Sequence, residues 1–298
     1  MNKRLSIFTL LLGAAVAGFG GCTKDIAIQP NPYIPKVGIE CTLVPDSLPK
    51  VYLTRSQSFL GTDVNTLRDA IQNATVEISE DGVPETLAPG STFNYNTCLR
   101  EYFYRGRRPV RTGHDYALRV VADGQTYTAT TTTRITAVEI TSVDYLPNFT
   151  DVYGQHEGIK VSFHDPAGEQ NFYRFSMART LTRSRPRFEG DTNRYCATGP
   201  FQDLEIGRSV YKDDLTDGQD MSIVVEPANV HKKGDIGLIR LQTLDPASAR
   251  FFDQLDRQKL AQTNPFVEPV FLKTEIPGAL GVFGAVNQSR VVQFVYPE

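Results

Sequence analysis

Val37-Gly38-Ile39-Glu40-Cys41-Thr42-Leu43 is the stretch on which the fold class turns. Apolar side chains take every second position, with small or polar ones between. That is the two-residue period of a strand with one face buried. Pro45, Asp46 and Ser47 then read as a turn, and Lys50-Val51-Tyr52-Leu53-Thr54 reads as the returning strand.

Working toward the C-terminus, the pattern stays β. Asn65 caps a short expected helix through Ile71, since its side chain can accept a bond from a free N–H of the first turn. Residues 74–79 form a strand ended by Glu80-Asp81-Gly82. Residues 116–120 and 127–133 read as a hairpin, with Asp123-Gly124 supplying the positive-φ turn of a two-residue loop. A first domain closes near Arg134. A second opens with a strand over 138–143. Residues 158–163 alternate again, and 171–177 are expected to pair with them across Asp165-Pro166-Ala167-Gly168. Strands over 221–225, 236–244 and 291–296 complete the series. One helix interrupts it: Asp245 is a good N-cap, Pro246 suits the first helical position, and Ala249, Phe252 and Leu255 recur at helical spacing. The expected class is mostly β, with two β-sandwich-like domains. The first, 37–134, is Ig-like or transthyretin-like. The second, 135–298, is larger and carries one short helix.

Working toward the N-terminus, residues 23–36 contain three prolines and read as an extended tether. At roughly 3.1 Å per residue it can reach about 40 Å. Before it stand Lys3-Arg4, an apolar run over 5–19, and Gly20-Gly21-Cys22. A charged head, an apolar stretch and small residues make a secretory signal peptide over 1–21. The run is shorter than the roughly 20 residues a spanning helix needs. A cysteine directly after the small residues resembles a bacterial lipobox, although Phe19 stands where a smaller aliphatic residue is usual. Cys22 is therefore the expected lipidation site, carrying palmitate or similar chains. Two or more chains hold a protein stably on a bilayer where one does not.

The net charge of −3 and the ordinary hydrophobic content of 40% give no footprint of nucleic-acid binding or a disordered tail. Of four cysteines, lipidation of Cys22 leaves Cys41, Cys98 and Cys196, enough for one disulfide and a leftover thiol. Cys41 and Cys98 share a domain, which favours that pair. Three unpaired buried cysteines are the other reading. No C-x-x-C occurs, so a zinc knuckle has no support.

Catalytic patterns are equally sparse. His114, His156, His164 and His231 are scattered and no H-E-x-x-H occurs. Gly207-Arg208-Ser209-Val210-Tyr211 lacks the second glycine of a nucleophile elbow. Asp213, Asp214, Asp217 and Asp220 do not fit an EF-hand, because Leu215 and Val224 stand at its third and twelfth positions. They read as a solvated turn. Gly278, Gly281 and Gly284 lack the Lys-Ser/Thr of a phosphate loop and read as turns or close packing. No metal, no cofactor and no enzymatic activity are expected.

Two arginine-rich segments invite a binding role. One holds Tyr102, Tyr104, Arg105, Arg107, Arg108 and Arg111. The other, residues 179–194, holds Arg183, Arg185 and Arg187. Arginine offers planar paired donors and stacks on rings, so interleaved Tyr and Arg suit a glycan, an anionic ligand or a receptor loop. The alternative is a pair of solvated loops.

Several segments together resemble a Bacteroidetes outer-membrane lipoprotein family known as domain of unknown function four-two-four-nine. They are the lipidated N-terminus, Asn73-Ala74-Thr75-Val76-Glu77-Ile78-Ser79-Glu80-Asp81-Gly82 and Gly113-His114-Asp115-Tyr116-Ala117-Leu118-Arg119-Val120. Next come Phe163-His164-Asp165-Pro166-Ala167-Gly168-Glu169-Gln170-Asn171-Phe172-Tyr173-Arg174-Phe175 and Asp213-Asp214-Leu215-Thr216-Asp217-Gly218. The last are Asn264-Pro265-Phe266-Val267-Glu268-Pro269 and Gly281-Val282-Phe283-Gly284. Ala279 departs from a glycine pair usual in the family before Leu280-Gly281-Val282-Phe283. Lys24-Asp25 resembles the surface-export signals of some such lipoproteins. The resemblance implies an outer-membrane protein on either face, often encoded beside a TonB-dependent receptor, with an accessory role in nutrient capture. It implies no catalytic residue. A structural or adhesive surface lipoprotein and a cryptic hydrolase are the competing expectations.

Overall fold

Alternation becomes sandwich walls in the first half of the chain. The computed structural model describes residues 33–57, 70–151, 154–182, 196, 198–206, 210–227, 230–263 and 272–297. In β1 (Val37–Leu43), the four odd-numbered side chains are buried and the even ones are not. β1 pairs antiparallel with β2 (Lys50–Arg55), Ile39 opposite Leu53 and Glu40 opposite Tyr52. β3 (Thr75–Glu80), β4 (Val83–Thr86), β7 (Asp115–Ala122) and β8 (Gln125–Thr132) make a four-stranded sheet in the order β4-β3-β7-β8. Its two hairpins turn on Asp81-Gly82 and Asp123-Gly124, all four residues at positive φ, as two-residue loops between twisted strands require. β5 (Ala88–Asn94) and β6 (Leu99–Arg105) extend the opposite wall. Ile39, Leu43, Leu53, Val76, Leu118 and Val120 meet between the walls. The helix expected from Asn65 lies outside the described residues, save that Ala70 and Ile71 run against β2.

The second core forms in the same way. β10 (Gly154–His164) lies between β9 (Ile140–Asp151) and β14 (Asp220–Val225). Facing them, β11 (Phe172–Thr182) pairs with β12 (Pro200–Ile206), β13 (Tyr211–Lys212) and β15 (Ile236–Leu244), and β15 pairs with β17 (Val292–Val295). Ile159, Val161, Phe163, Tyr173, Phe175, Met177, Ile239 and Leu241 fill the space between. The expected pairing of 158–163 with 171–177 is corrected: those strands belong to opposite sheets. The loop between them crosses the core instead of reversing within a sheet, because Asp165 is buried at its head and takes a hydrogen bond from the Tyr173 hydroxyl. Phe163 and Tyr173 then meet ring to ring at 4.7 Å.

The helix α1 (Pro246–Thr263) starts where its cap predicts. Asp245 Oδ1 accepts the Ser248 amide at 2.7 Å, and the Asp245 carbonyl accepts the Ala249 amide at 2.9 Å. Ala249 and Phe252 pack against Phe172, Leu244 and Val286. β11 is therefore covered on both faces, which explains its near-continuous burial.

β16 (Leu280–Gln288) unites the two halves. Its C-terminal end pairs antiparallel with β15, Leu244 opposite Val286, while its N-terminal end pairs parallel with β1, from Gly38–Leu280 to Leu43–Ala285. One sheet thus runs β12-β11-β15-β16-β1-β2-β6-β5. The chain leaves the first core at Ile135 and enters the second at Val138, but Phe283 and Ala285 return to the first. A division at 134/135 separates two cores and not two sheets, and Pro35–Glu298 form one unit. The strand fits there only through glycine. Gly281 has φ +117°, and a Cβ on it would lie 1.9 Å from the Ile39 carbonyl oxygen. At Gly284 a Cβ would meet Ser248 Oγ at 2.1 Å. Both glycines were expected to serve turns or close packing, and they serve packing.

Candidate functional site

β6 carries the first arginine-rich segment, and the fold uses much of it. Tyr104, expected as a contact residue, is a core residue: its hydroxyl donates to the Ile71 carbonyl at 3.1 Å and accepts the Ala74 amide at 2.9 Å. Tyr102 is half-buried and Arg105 exposed. The Arg107 amide donates to Glu85 Oε1 at 2.6 Å, while its side chain stays 88% exposed. Arg108 Nε donates to Glu85 Oε2 at 3.2 Å and its Nη2 to the Val83 carbonyl at 3.1 Å. Arg111 Nε and the Tyr116 hydroxyl share Glu80 Oε1, at 2.7 and 2.6 Å. Arg108 and Arg111 therefore tie the loop after β6 to the β3–β4 hairpin. Arg105 is exposed and Arg107 keeps only a 3.9 Å ion pair with Glu85, which leaves both open to solvent or a partner.

The acids record this use. The Arg111 hydrogen bond, against burial and with help from Tyr116, holds Glu80 below its ordinary value. Burial pulls Glu85 upward, but the bonds from Arg107 and Arg108 outweigh it and its pKa is lowered. Burial and then the Glu80 bond push Tyr116 up to about 12.

Arg183, Arg185 and Arg187 lie outside the described residues, as does Cys22. Arg179, at the head of the second segment, is buried. It donates through Nε to Glu205 Oε1 at 2.9 Å and through Nη2 to the same oxygen, and its guanidinium lies 5.4 Å from the centre of the Tyr296 ring. The sequence signal was the strand period: Tyr173, Phe175 and Met177 face inward, and Arg179 continues their series. Arg174 is a second buried arginine that the sequence reading passed over. It faces α1, pairs with Asp256 at 3.0 Å and covers the Phe252 ring at 4.4 Å.

The expected Cys41–Cys98 pair is also corrected. Cys98 bonds to Cys196, with Cα atoms 5.7 Å apart. Cys41 points into the first core between Ile39 and Leu43, a free thiol whose pKa burial pushes up. Beside the disulfide, Asn96 Oδ1 accepts the Gln202 amide of β12 at 3.0 Å. The β5–β6 turn and β12 lie at opposite ends of the long sheet, so these two links clasp its ends together.

Next to this clasp a cleft opens. β2 and β6 pair only at Lys50–Arg105 and Val51–Tyr104. Beyond Val51, Ile71 and Ala70 take the side of β2 instead, through the Ile71 amide on the Leu53 carbonyl and the Thr54–Ala70 bridge. Between the parting strands lies a cavity of about 450 Å³, lined by Glu40, Tyr52, Thr54, Thr97, Arg100 and Glu101 among others. A cavity of about 580 Å³ between β8, β16 and the start of α1 holds Arg250, which is closed by an ion pair with Glu275.

The acidic loop has a structural task. Asp213 Oδ2 accepts the Asn171 amide at 2.9 Å, Asp217 Oδ1 the Gly168 amide at 2.8 Å and Asp165 Oδ2 the Gly218 amide at 2.9 Å. Carboxylate oxygens of Asp165, Asp213 and Asp217 lie within 4.8 Å of one another, and together they staple two loops at the end of the second core. Asp213 is buried, where a solvated turn was expected, because it serves the opposite loop.

Among the described residues no helix is long and apolar enough to cross a membrane. Among solved structures, the crystal structure of the selenomethionine-substituted chicken interferon gamma receptor alpha chain is similar at a TM-score of 0.23 and 9% identity, over 90% of this chain and 100% of that one. A likeness at that level bears on neither fold nor function. No curated protein matches the chain. The family model described as Domain of unknown function (DUF4249) matches residues 23–291. That match spans most of the chain, and the chain belongs to that family.

Proposed function

We propose that this protein is a non-catalytic lipoprotein of the outer membrane, anchored through Cys22, that assists a TonB-dependent receptor in capturing a ligand. The observation that carries the reading is the N-terminal order: charged head, apolar run, Gly20-Gly21-Cys22, then a proline-rich tether. Membership of the family supports it, since the resembled lipoproteins imply that location and partner. Exposed Arg105, at the end of β6, and Arg107, in the loop after it, are the described arginines offered for contact. Labelled palmitate should enter the wild-type protein and not a Cys22→Ala variant. A β-barrel receptor should then co-purify from detergent-solubilised membranes. Equal labelling of both proteins, or purification without a barrel, would remove the reading.

A further inference from the structure

We infer that the cleft between β2 and β6 binds a neutral, hydroxyl-rich ligand the size of one or two sugar rings. This deepens the ligand-capture reading above and rests on it. Four observations carry the assignment.

The cleft is built into the sheet, because two neighbouring strands part after two paired residues. Its volume of about 450 Å³ lies within the range of small-molecule sites, roughly 300–1,000 Å³.

Its wall offers an aromatic ring in a set position. Tyr52 stands opposite Glu40 in register, and Phe103 meets its ring edge-on at 6.1 Å. Lys50 in turn sits 4.9 Å over the Phe103 ring. A ring held this way can stack on the apolar face of a sugar.

Its polar groups are of both signs and keep bonding capacity to spare. Neither Glu40 nor Glu101 forms an ion pair among the described residues, although Asn94 donates to Glu101 at 2.5 Å. Both carboxylates lie within electrostatic reach of the Tyr52 hydroxyl, whose pKa is raised by burial first, then by Glu101 and Glu40. The Glu40 side chain reaches water and is still crowded: burial raises its pKa, Lys259 of α1 opposes this, and Glu101 adds to it. Arg100 uses one nitrogen on Ser91, at 3.0 Å. Thr97 Oγ1 is buried without a hydrogen-bond partner among the described residues. A buried hydroxyl without a partner favours a ligand that supplies one.

The charge balance chooses the ligand class. A cation entering the cleft meets Arg100, and an anion meets Glu40 and Glu101. A neutral diol can use both signs, because a carboxylate accepts two neighbouring hydroxyls and a guanidinium donates to others. The Cys98–Cys196 clasp lies next to Thr97 and Leu99 and holds that wall in place.

The test is saturation-transfer NMR on the detergent-solubilised full chain. The probes are glucose, N-acetylglucosamine, maltose, cellobiose and lactose, with spermidine and citrate as charged comparators. We expect transfer to the ring protons of at least one saccharide. Tyr52→Ala and Glu101→Gln should each weaken that binding tenfold or more. Tyr52→Phe, which keeps the ring, and Arg119→Ala, on the other sheet and outside the cleft, should leave it within twofold. A thermal melt matching wild type shows that each variant is folded. No transfer from any saccharide, transfer that survives Tyr52→Ala, or binding of a charged comparator alone overturns the inference. A receptor that co-purifies while no saccharide binds defeats this inference and leaves the accessory role standing. Saccharide binding without a receptor does the reverse.

Discussion

Between β1 and β8, charged side chains pair at the rim: Arg119 with Glu77, Arg134 with Asp115, and Arg108 with Glu85. Between β9 and β17 they pair inside: Arg179 with Glu205, Arg174 with Asp256, and Asp165 with the Tyr173 hydroxyl. The first sandwich takes its definition from turn chemistry and strand alternation around an apolar core. In the second, α1 covers Arg174 and the core itself takes in Arg179, so charged groups on β11 lose water and must find partners. A surface pair contributes little, about 0–1 kcal/mol. Breaking a buried one costs about 3–5 kcal/mol, because it strands a charge. The two halves should therefore fail differently.

The largest effect should come where the halves cannot be told apart. Gly281→Val forces a side chain into the Ile39 carbonyl at a left-handed φ, and should cost about 4 kcal/mol or more. Urea unfolding should show both sandwiches lost together. A variant within 1 kcal/mol of wild type, by the same measure, would show that β16 does not join them. Next, Glu205→Ala should cost about 3–5 kcal/mol, against about 0–1 kcal/mol for Glu77→Ala in the first half. Equal losses in denaturant titrations would erase the contrast. Reducing Cys98–Cys196 should cost about 2–4 kcal/mol, since the bond closes a long loop. A melting temperature unchanged by dithiothreitol would leave the clasp without consequence.

The smallest effect is on pH, and its sign differs between halves. Glu80 has a folded pKa below its ordinary 4.5. Its contribution is present above 4.5 and is lost as pH falls through the lower folded value. Asp256 runs the other way. Burial raises its pKa above 3.8, with Arg174 and Lys259 opposing. Protonation through that raised value favours the folded form. Between pH 6 and 3, hydrogen exchange should show amides of β3 and β7 losing protection before those of β11 and β15. Glu80→Gln should reduce that difference. Simultaneous loss in both sheets would count against the assignment.

What could be read from the chain alone follows the range of the interaction. The alternation of β1, the Asp123-Gly124 hairpin and the Asp245 cap are local, and their residues announce them. The parallel pairing of β1 with β16 joins opposite ends of the chain, and a strand pattern does not state its neighbour. The same holds for Cys98, whose partner lies in the other half while Cys41 looked nearer. Arg179 was legible in principle, since it extends the inward series from Tyr173. It was read as one of an exposed arginine group because charge was weighed above period. The cleft left no local mark at all. It arises where pairing between β2 and β6 stops, and Glu40 or Tyr52 alone reads as an ordinary outward strand residue.

The placement of β16 also sets an order of events in synthesis. The first strand of the folded body to emerge has to wait for nearly the last. Until residues 280–288 have cleared the ribosome, β1 has an open edge and the first core lacks Phe283 and Ala285. Such long-range closure is slow to find and leaves sticky strand edges exposed meanwhile. A chain whose first strand is completed only by its other end depends on being kept from wrong partners during the wait.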